Sequence, residues 1–274
     1  MKQAILKTAI IGAAIIGFSA GGNAYAGAVH DSSLFTTNTL PGNDDGSTGL
    51  VSLGFSINFY GTTYSNLYVN NNGNVTFTQP YGTFTPSAIT SSSSLPIIAP
   101  FFADVDTRSG SPVTYGASTI GGQNVFGVNW IDVGYYSNHA NPNNSFQLII
   151  TDRSDIGAGD FDFQFNYDRI LWESGQASGS DANGLGGTSA VAGWTNGLGT
   201  FLQLAGSLVN GALLDNGPNA LIANSLNSNT LGQYNFRVRN GQVENNNPVP
   251  EPASLALLGL GALGLFAARR RKTA

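Results

Sequence analysis

The stretch VSLGFSINF, from Val51 to Phe59, decides the fold class. Its odd-numbered positions carry Val, Leu, Phe, Ile and Phe, whereas its even-numbered positions carry Ser, Gly, Ser and Asn. Successive side chains of a β-strand point to opposite faces, so this alternation predicts a strand with one buried and one solvated face. Such strands are typical of antiparallel sheets that cover a hydrophobic core on one side.

The same two-residue period recurs along the chain, between turns rich in Gly, Asn and Ser. The Asn72-Gly73 pair lies where a hairpin turn needs a positive φ. Leu95–Phe102 is apolar but contains Pro96 and Pro100, which favours an irregular buried crossing over a central strand. The further strand candidates are Leu67–Val69, Val75–Phe77, Val125–Val133, Phe146–Ile150, Phe161–Tyr167 and Tyr234–Arg239.

These short strands predict an all-β fold, an antiparallel β-sandwich or a related arrangement. Residues 174–188 are rich in Gly, Ser and Ala, so we expect a long surface loop there. The chain has 274 residues and no cysteine, so its core must be stabilised by packing and hydrogen bonds rather than by disulfides. The lack of cysteine also excludes thiolate metal sites and cysteine nucleophiles.

The first 26 residues have the features of a secretory signal peptide. Lys2 and Lys7 precede an apolar run from Ala9 to Phe18, and Ala24-Tyr25-Ala26 supplies a small-x-small cleavage site. The mature chain is therefore expected to begin at Gly27. An uncleaved membrane anchor is the alternative, but the apolar run is short for a membrane span.

The last 25 residues combine three features in order: Pro250-Glu251-Pro252, an apolar run from Ala253 to Ala268, and the basic end Arg269-Arg270-Arg271-Lys272. An apolar helix of that length spans about 24 Å, which is short for a bilayer and suits a temporary tether. The combination resembles the PEP-CTERM sorting signal. The resemblance implies that an exosortase recognises Pro250, Glu251 and Pro252 and removes the tail. A plain membrane anchor is the alternative.

Charge is distributed unevenly between the ends and the middle. Between positions 27 and 247 there are five arginines, no lysine and fifteen acidic residues, a net charge of −10. An acidic surface of this kind repels nucleic acids and anionic membranes, so neither is expected as a partner. The arginines are Arg108, Arg153, Arg169, Arg237 and Arg239.

Several sequence blocks follow one another between residues 50 and 201: LYVNNNGNVTF (67–77), PIIAPFFADVDT (96–107), and the segments 128–136, 144–150, 165–172 and 192–194. In their order and spacing these blocks resemble the nidogen-like (NIDO) domain. The resemblance implies an extracellular domain of matrix or adhesive proteins and supplies no catalytic residues. We therefore divide the chain into a signal peptide (1–26), a nidogen-like β domain (27–241), a polar linker (242–249) and a sorting signal (250–274).

Catalytic chemistry finds little support. A serine hydrolase needs a histidine base, and the two histidines lie near the expected mature N-terminus (His30) and in a turn (His139). A glycosidase needs two acids in one cleft, for which Asp104 with Asp106 and Asp160 with Asp162 are candidates. A solvated polar face is the preferred interpretation of both pairs, so no catalytic residue is predicted.

Calcium is a better match to the acidic residues than catalysis, because calcium takes carboxylate, amide and backbone oxygens. The candidate ligands are Asp104 and Asp106 in one turn, and Asp152, Asp155 and Asp160 in another. Two turns stabilised by Asp side chains are the simpler explanation, so no cofactor is firmly predicted.

Taken together, these features predict an exported, exosortase-sorted protein of the cell surface or extracellular matrix. It would act as a non-catalytic adhesion, interaction or structural module, for instance in biofilm or exopolysaccharide assembly. The expected partners are the secretion machinery, an exosortase-type enzyme and matrix polysaccharides or proteins, with a transient membrane tether. A carbohydrate-binding module is the first alternative, with Trp130, Trp172 and Trp194 as stacking residues, and a secreted glycoside hydrolase is the second.

Overall fold

A computed structural model of the chain describes residues 27–244, and these residues form an all-β structure. The only helical element among them is a short 3₁₀ turn at Gln176–Ser178. In chain order the strands are β1 (Asn38–Leu40), β2 (Val51–Phe59), β3 (Thr62–Asn70), β4 (Asn74–Thr76), β5 (Ile97–Phe102), β6 (Val105–Asp106), β7 (Val113–Ile120), β8 (Gln123–Tyr135), β9 (His139–Asp152), β10 (Phe161–Arg169), β11 (Val191–Thr195), β12 (Phe201–Gln203), β13 (Gln233–Arg239) and β14 (Gln242–Val243).

The strands form two antiparallel sheets, which confirms the sandwich-like fold. The larger sheet has the order β1-β7-β8-β9-β10-β13-β14, with β6 added beside β8, and the smaller sheet has the order β12-β11-β5-β4-β3-β2. The alternation of residues 51–59 appears as predicted: Leu53, Ile57 and Phe59 are buried, whereas Ser52 and Ser56 on the opposite face are exposed. Burial of the apolar face is the main contribution to the stability of such a strand.

The core between the sheets is dominated by aromatic side chains. The rings of Trp130 and Phe146 stack with centroids 5.3 Å apart, and Phe101 meets Trp172 edge-on at 5.7 Å. Both indole N–H groups donate hydrogen bonds to backbone carbonyl oxygens, Trp130 to Asn71 at 3.0 Å and Trp172 at 3.1 Å. Trp130 and Trp172 therefore contribute apolar area without leaving a buried donor unpaired, whereas the buried indole N–H of Trp194 has no hydrogen-bond partner among the described residues.

The prediction for residues 95–102 was wrong, because β5 is a fully buried central strand between β4 and β11. The proline is tolerated for a local reason. The register of β11 shifts between Val191 and Gly193, which pair with Phe102 and Ala99, so Pro100 lies opposite an irregularity and has no ladder partner. A missing N–H costs little at such a position.

The segment 174–188 is a loop, as predicted, but it is not wholly at the surface. Ser174, Gly175, Ser178 and Gly184 are buried. Glu173, which precedes the loop, is also buried and accepts hydrogen bonds from the backbone N–H groups of Gly186 and Gly211. The loop therefore packs as a fixed cover on the sandwich.

Both ends of the described region are paired with the larger sheet. At the N-terminal end, the His30 N–H donates to Gln147 Oε1 at 3.1 Å, and the Asn129 side chain donates to the backbone of Leu34. At the C-terminal end, Gln242 and Val243 form β14, so a strand occupies the first residues of the predicted linker. The predicted signal peptide, including Ala24 and Ala26, and the predicted sorting signal lie outside the described residues.

Candidate metal centre

A buried asparagine turn organises the most polar region of the molecule. The predicted hairpin at Asn72-Gly73 is present between β3 and β4, with φ of +72° at Gly73. Its asparagines are buried, unlike those of an ordinary surface turn. Asn71 Nδ2 donates to the carbonyl oxygens of Asp44 and Val105, so the turn ties the β1–β2 loop to the first residue of β6.

Three carboxylates meet beside this turn: Asp44 and Asp45 from the β1–β2 loop, and Asp104 from the β5–β6 crossing. One oxygen of each lies within 4.8 Å of the others. At that separation two ionised carboxylates repel each other by roughly 3 kcal/mol for an effective dielectric constant of about 20. A cation bound between them would offset this repulsion and favour the ionised forms.

The donors around the cluster are already engaged. Asn72 Nδ2 donates to Asp45 Oδ1 at 2.8 Å. The Arg108 guanidinium binds the carboxylate of Asp106 and lies 3.3 Å from Asp44 Oδ2. The other oxygen of Asp44, Oδ1, and Oδ2 of Asp104 are buried and have no hydrogen-bond partner.

Burial and mutual repulsion act on the protonation of these groups. Burial, followed by the neighbouring carboxylates, raises the pKa of Asp104 to about 7 and that of Asp44 to about 6. Asp106 behaves oppositely: burial opposes ionisation, but hydrogen bonds from Arg108 and the Asn138 N–H outweigh it and lower its pKa. Asp106 is thus a paired structural group, Asp44 is compensated only in part by Arg108, and the Asp104 side chain has no hydrogen-bond or salt-bridge partner.

The loop 174–188 closes over the cluster at Gly175. A Cβ placed on Gly175 would lie 2.2 Å from Asp104 Oδ2, so no larger residue fits without moving that carboxylate. Gly175 has φ of −91°, an ordinary value, and close approach is therefore the reason for glycine here.

The other acidic turn does not assemble a comparable group. Asp152 accepts hydrogen bonds from the backbone N–H and the hydroxyl of Ser154, and Asp155 forms a salt bridge with Arg153. Asp160 accepts a hydrogen bond from the Asn240 N–H. Within residues 27–244, the one set of three metal-ligating side chains that converges consists of Asp44, Asp45 and Asp104.

Asp104 was among the residues singled out from the sequence, whereas Asp44 and Asp45 were missed. These two are some 60 positions away in the chain, and only the paired strands bring them close. The signal that could have identified them is the Asn43–Gly46 run, which has the composition of a tight turn.

The tryptophans considered as sugar-stacking residues, and the histidine His139 considered as a catalytic base, pack against other side chains of the domain. Trp130, Trp172 and Trp194 are at most 3% exposed, so they pack in the core and are not available to stack on a sugar. His139 stacks on Tyr135 with ring centroids 4.8 Å apart. None of the three tryptophans offers a surface for ligand stacking.

An all-β sandwich with these features defines the class of the protein, and comparison with known proteins defines its family. The chain matches the NIDO-related family over residues 17–236, and it belongs to that family. It is 31% identical to mouse alpha-tectorin over 230 residues, 30% identical to the human protein over 230 residues and 31% identical to the chicken protein over 245 residues. These alignments cover 73%, 73% and 79% of this chain but about a tenth of each relative's length. No solved structure matches the chain significantly.

A second match identifies the C-terminal segment. Residues 248–272 match the PEP-CTERM protein-sorting motif, a C-terminal signal of exported proteins that implies processing by an exosortase-type system. The chain is therefore an exported protein of the surface or matrix type. Among residues 27–244, no helix is long and apolar enough to span a membrane. The predicted tail helix falls outside that range and stays a prediction.

Proposed function

We propose that the protein works outside the cell as a non-catalytic interaction or structural module, in adhesion, biofilm or exopolysaccharide assembly. One observation carries the proposal: a NIDO-related domain and a PEP-CTERM sorting signal occur in the same chain. The domain type is associated with extracellular matrix and adhesion, and the signal directs the domain to the surface.

The use of polar groups inside the domain supports a non-catalytic role. The buried acids Asp106 and Glu173 are held by Arg108 and by backbone N–H groups. Asp104 is 1% exposed, which denies a polysaccharide access to it. A glycosidase needs two carboxyl groups that flank a bound sugar, and the pair Asp104 and Asp106 does not offer that geometry.

The distribution of aromatic side chains gives no support to the carbohydrate-binding alternative. Sugar-stacking modules present aromatic rings to solvent, yet among the Phe, Tyr and Trp residues of 27–244 only Phe201 is exposed, at 42%. A single exposed ring does not make a stacking platform. Surface complementarity to a matrix component is the mechanism we favour.

Replacing Pro250, Glu251 and Pro252 together by alanine tests the sorting step. We expect the variant to keep its tail and to remain with the membrane, because the exosortase-type enzyme loses its recognition motif. The matched control replaces Asn245, Asn246 and Asn247, three polar residues just upstream, by alanine. Mass spectrometry and cell fractionation report the outcome, and processing equal to wild type in the motif variant would refute the sorting role.

Deletion of the gene tests the module itself. We expect the deletion strain to retain less extracellular matrix, the wild-type gene to restore it, and the purified protein to release no reducing sugar from the isolated matrix. Sugar release that disappears when Asp104 is replaced by asparagine would instead establish the glycosidase alternative. Unchanged matrix in the deletion strain would contradict the matrix role.

A further inference from the structure

The distances in the acidic cluster match those of a calcium site. Calcium binds oxygen ligands at 2.3–2.6 Å, so two oxygens on one ion are at most about 5 Å apart. The three carboxylates of Asp44, Asp45 and Asp104 each offer an oxygen within 4.8 Å of the other two. The three oxygens are therefore close enough together for one ion to bridge them.

A second observation, independent of the clustering, points to a missing cation. Asp104 is 1% exposed, its side chain receives no hydrogen bond, its Oδ2 is buried without a partner, and one of its carboxylate oxygens lies within 4.8 Å of those of Asp44 and Asp45. A buried carboxylate without a donor or a counter-charge is strongly destabilising, and folded proteins pair such groups or use them to bind metals. The nearby donors are directed elsewhere, Asn72 Nδ2 to Asp45 and Arg108 to Asp106 and Asp44.

The geometry points to a calcium site formed by Asp44, Asp45 and Asp104, with backbone oxygens or water completing the ligand shell. Zinc is disfavoured because the cluster contains no histidine or cysteine. Magnesium is disfavoured because it demands near-ideal octahedral geometry at 2.0–2.1 Å and retains most of its water. Calcium accepts irregular sets of carboxylates and is bound by many extracellular modules with dissociation constants of roughly 10⁻⁴–10⁻³ M.

The position of the site gives the ion a structural role. Asp44 and Asp45 belong to the β1–β2 loop, Asp104 to the β5–β6 crossing, and Gly175 of the covering loop lies against the Asp104 carboxylate. The ion joins the first two segments directly and fixes the carboxylate on which the third segment rests. Calcium binding therefore stabilises the folded domain once it is outside the cell.

The test compares the purified full-length protein in calcium and in EDTA. At a calcium concentration ten times the dissociation constant, we expect the unfolding temperature to rise by about 3–6 °C, and calorimetry to show one ion bound per chain. Magnesium at the same concentration should produce a much smaller rise. Absence of calcium binding by calorimetry would overturn the proposal whatever the variants do.

Asp104→Asn is the decisive variant, because it keeps the shape of the side chain and removes the charge. We expect it to lose the calcium-dependent rise, and in EDTA to unfold at or above the wild-type temperature, since an uncompensated buried charge is gone. Asp45→Asn, at a less buried ligand, should weaken calcium binding at least tenfold and serves if Asp104→Asn does not fold.

Asp155→Asn is the matched control, because it removes one charge from the other acidic turn and should keep the full calcium response. A loss of stability by Asp104→Asn that is equal in calcium and in EDTA would mean that the carboxylate is merely structural, and would refute the site. The proposed site would also be refuted if Asp155→Asn lost the calcium-dependent rise in unfolding temperature while Asp104→Asn kept it.

Discussion

Replacement of Glu173 by glutamine is expected to destabilise the protein, although the two side chains have nearly the same shape. Glu173 is 2% exposed, and its two carboxylate oxygens accept hydrogen bonds from the N–H groups of Gly186 at 3.0 Å and Gly211 at 2.7 Å. Glutamine retains one acceptor oxygen and turns an amide group toward the other N–H. One charge-assisted hydrogen bond is lost and one buried donor is left unpaired, which together cost about 2–4 kcal/mol.

Urea unfolding measures this effect directly. With a slope of about 2–3 kcal/mol per molar for a domain of this size, the midpoint should fall by about 1 M without a change of slope. Hydrogen exchange at Gly186 and Gly211 should accelerate, because the loop loses its anchor. Glu244→Gln, at an exposed glutamate, is the control and should stay within about 0.5 kcal/mol of wild type. A Glu173→Gln variant as stable as that control would refute the anchoring role.

Two further substitutions test the packing of the sandwich by thermal and urea unfolding. Gly73→Ala should destabilise the fold by roughly 3–5 kcal/mol, because φ is +72° and the new Cβ would lie 1.8 Å from the Phe101 carbonyl oxygen. The control Gly61→Ala, with φ of +86° and open space around it, should cost about 1 kcal/mol. Equal costs for the two variants would contradict the close approach at Gly73. Trp172→Phe should lower the free energy of unfolding by about 2–4 kcal/mol, because it removes the hydrogen bond to the Val133 carbonyl oxygen and leaves a cavity. A decrease below about 1 kcal/mol would show that this tryptophan is not a central packing residue.

Local pattern was sufficient to predict much of the fold. The alternation in Val51–Phe59 corresponds to β2 residue for residue, and the Asn72-Gly73 pair forms the hairpin that its left-handed glycine favours. These features succeed because side-chain alternation and positive φ are properties of a few consecutive residues. The same reasoning gave a wrong prediction for the central strand β5, because Pro100 is tolerated there only through a register shift in the neighbouring strand β11.

The candidate metal centre could be predicted only in part. Asp104 was identifiable as an acidic turn residue, but its partners Asp44 and Asp45 come from a loop that reaches it through sheet pairing and through Asn71. Sequence pattern also gave no reason to separate Asp104 from Asp106, although Arg108 pairs with one and leaves the other uncompensated. Tertiary placement of a single guanidinium decides which carboxylate is available to a cation.

The central claim is that this NIDO-related domain is exported and that both ends of its chain are removed. Mass spectrometry of the protein recovered from intact cells and culture medium, with sequencing of both termini, tests it most directly. We predict a chain that begins at Gly27 and lacks the apolar run and arginines of residues 253–274. Recovery of the full-length polypeptide from the cytosol, with Met1 and Ala274 in place, would contradict the account.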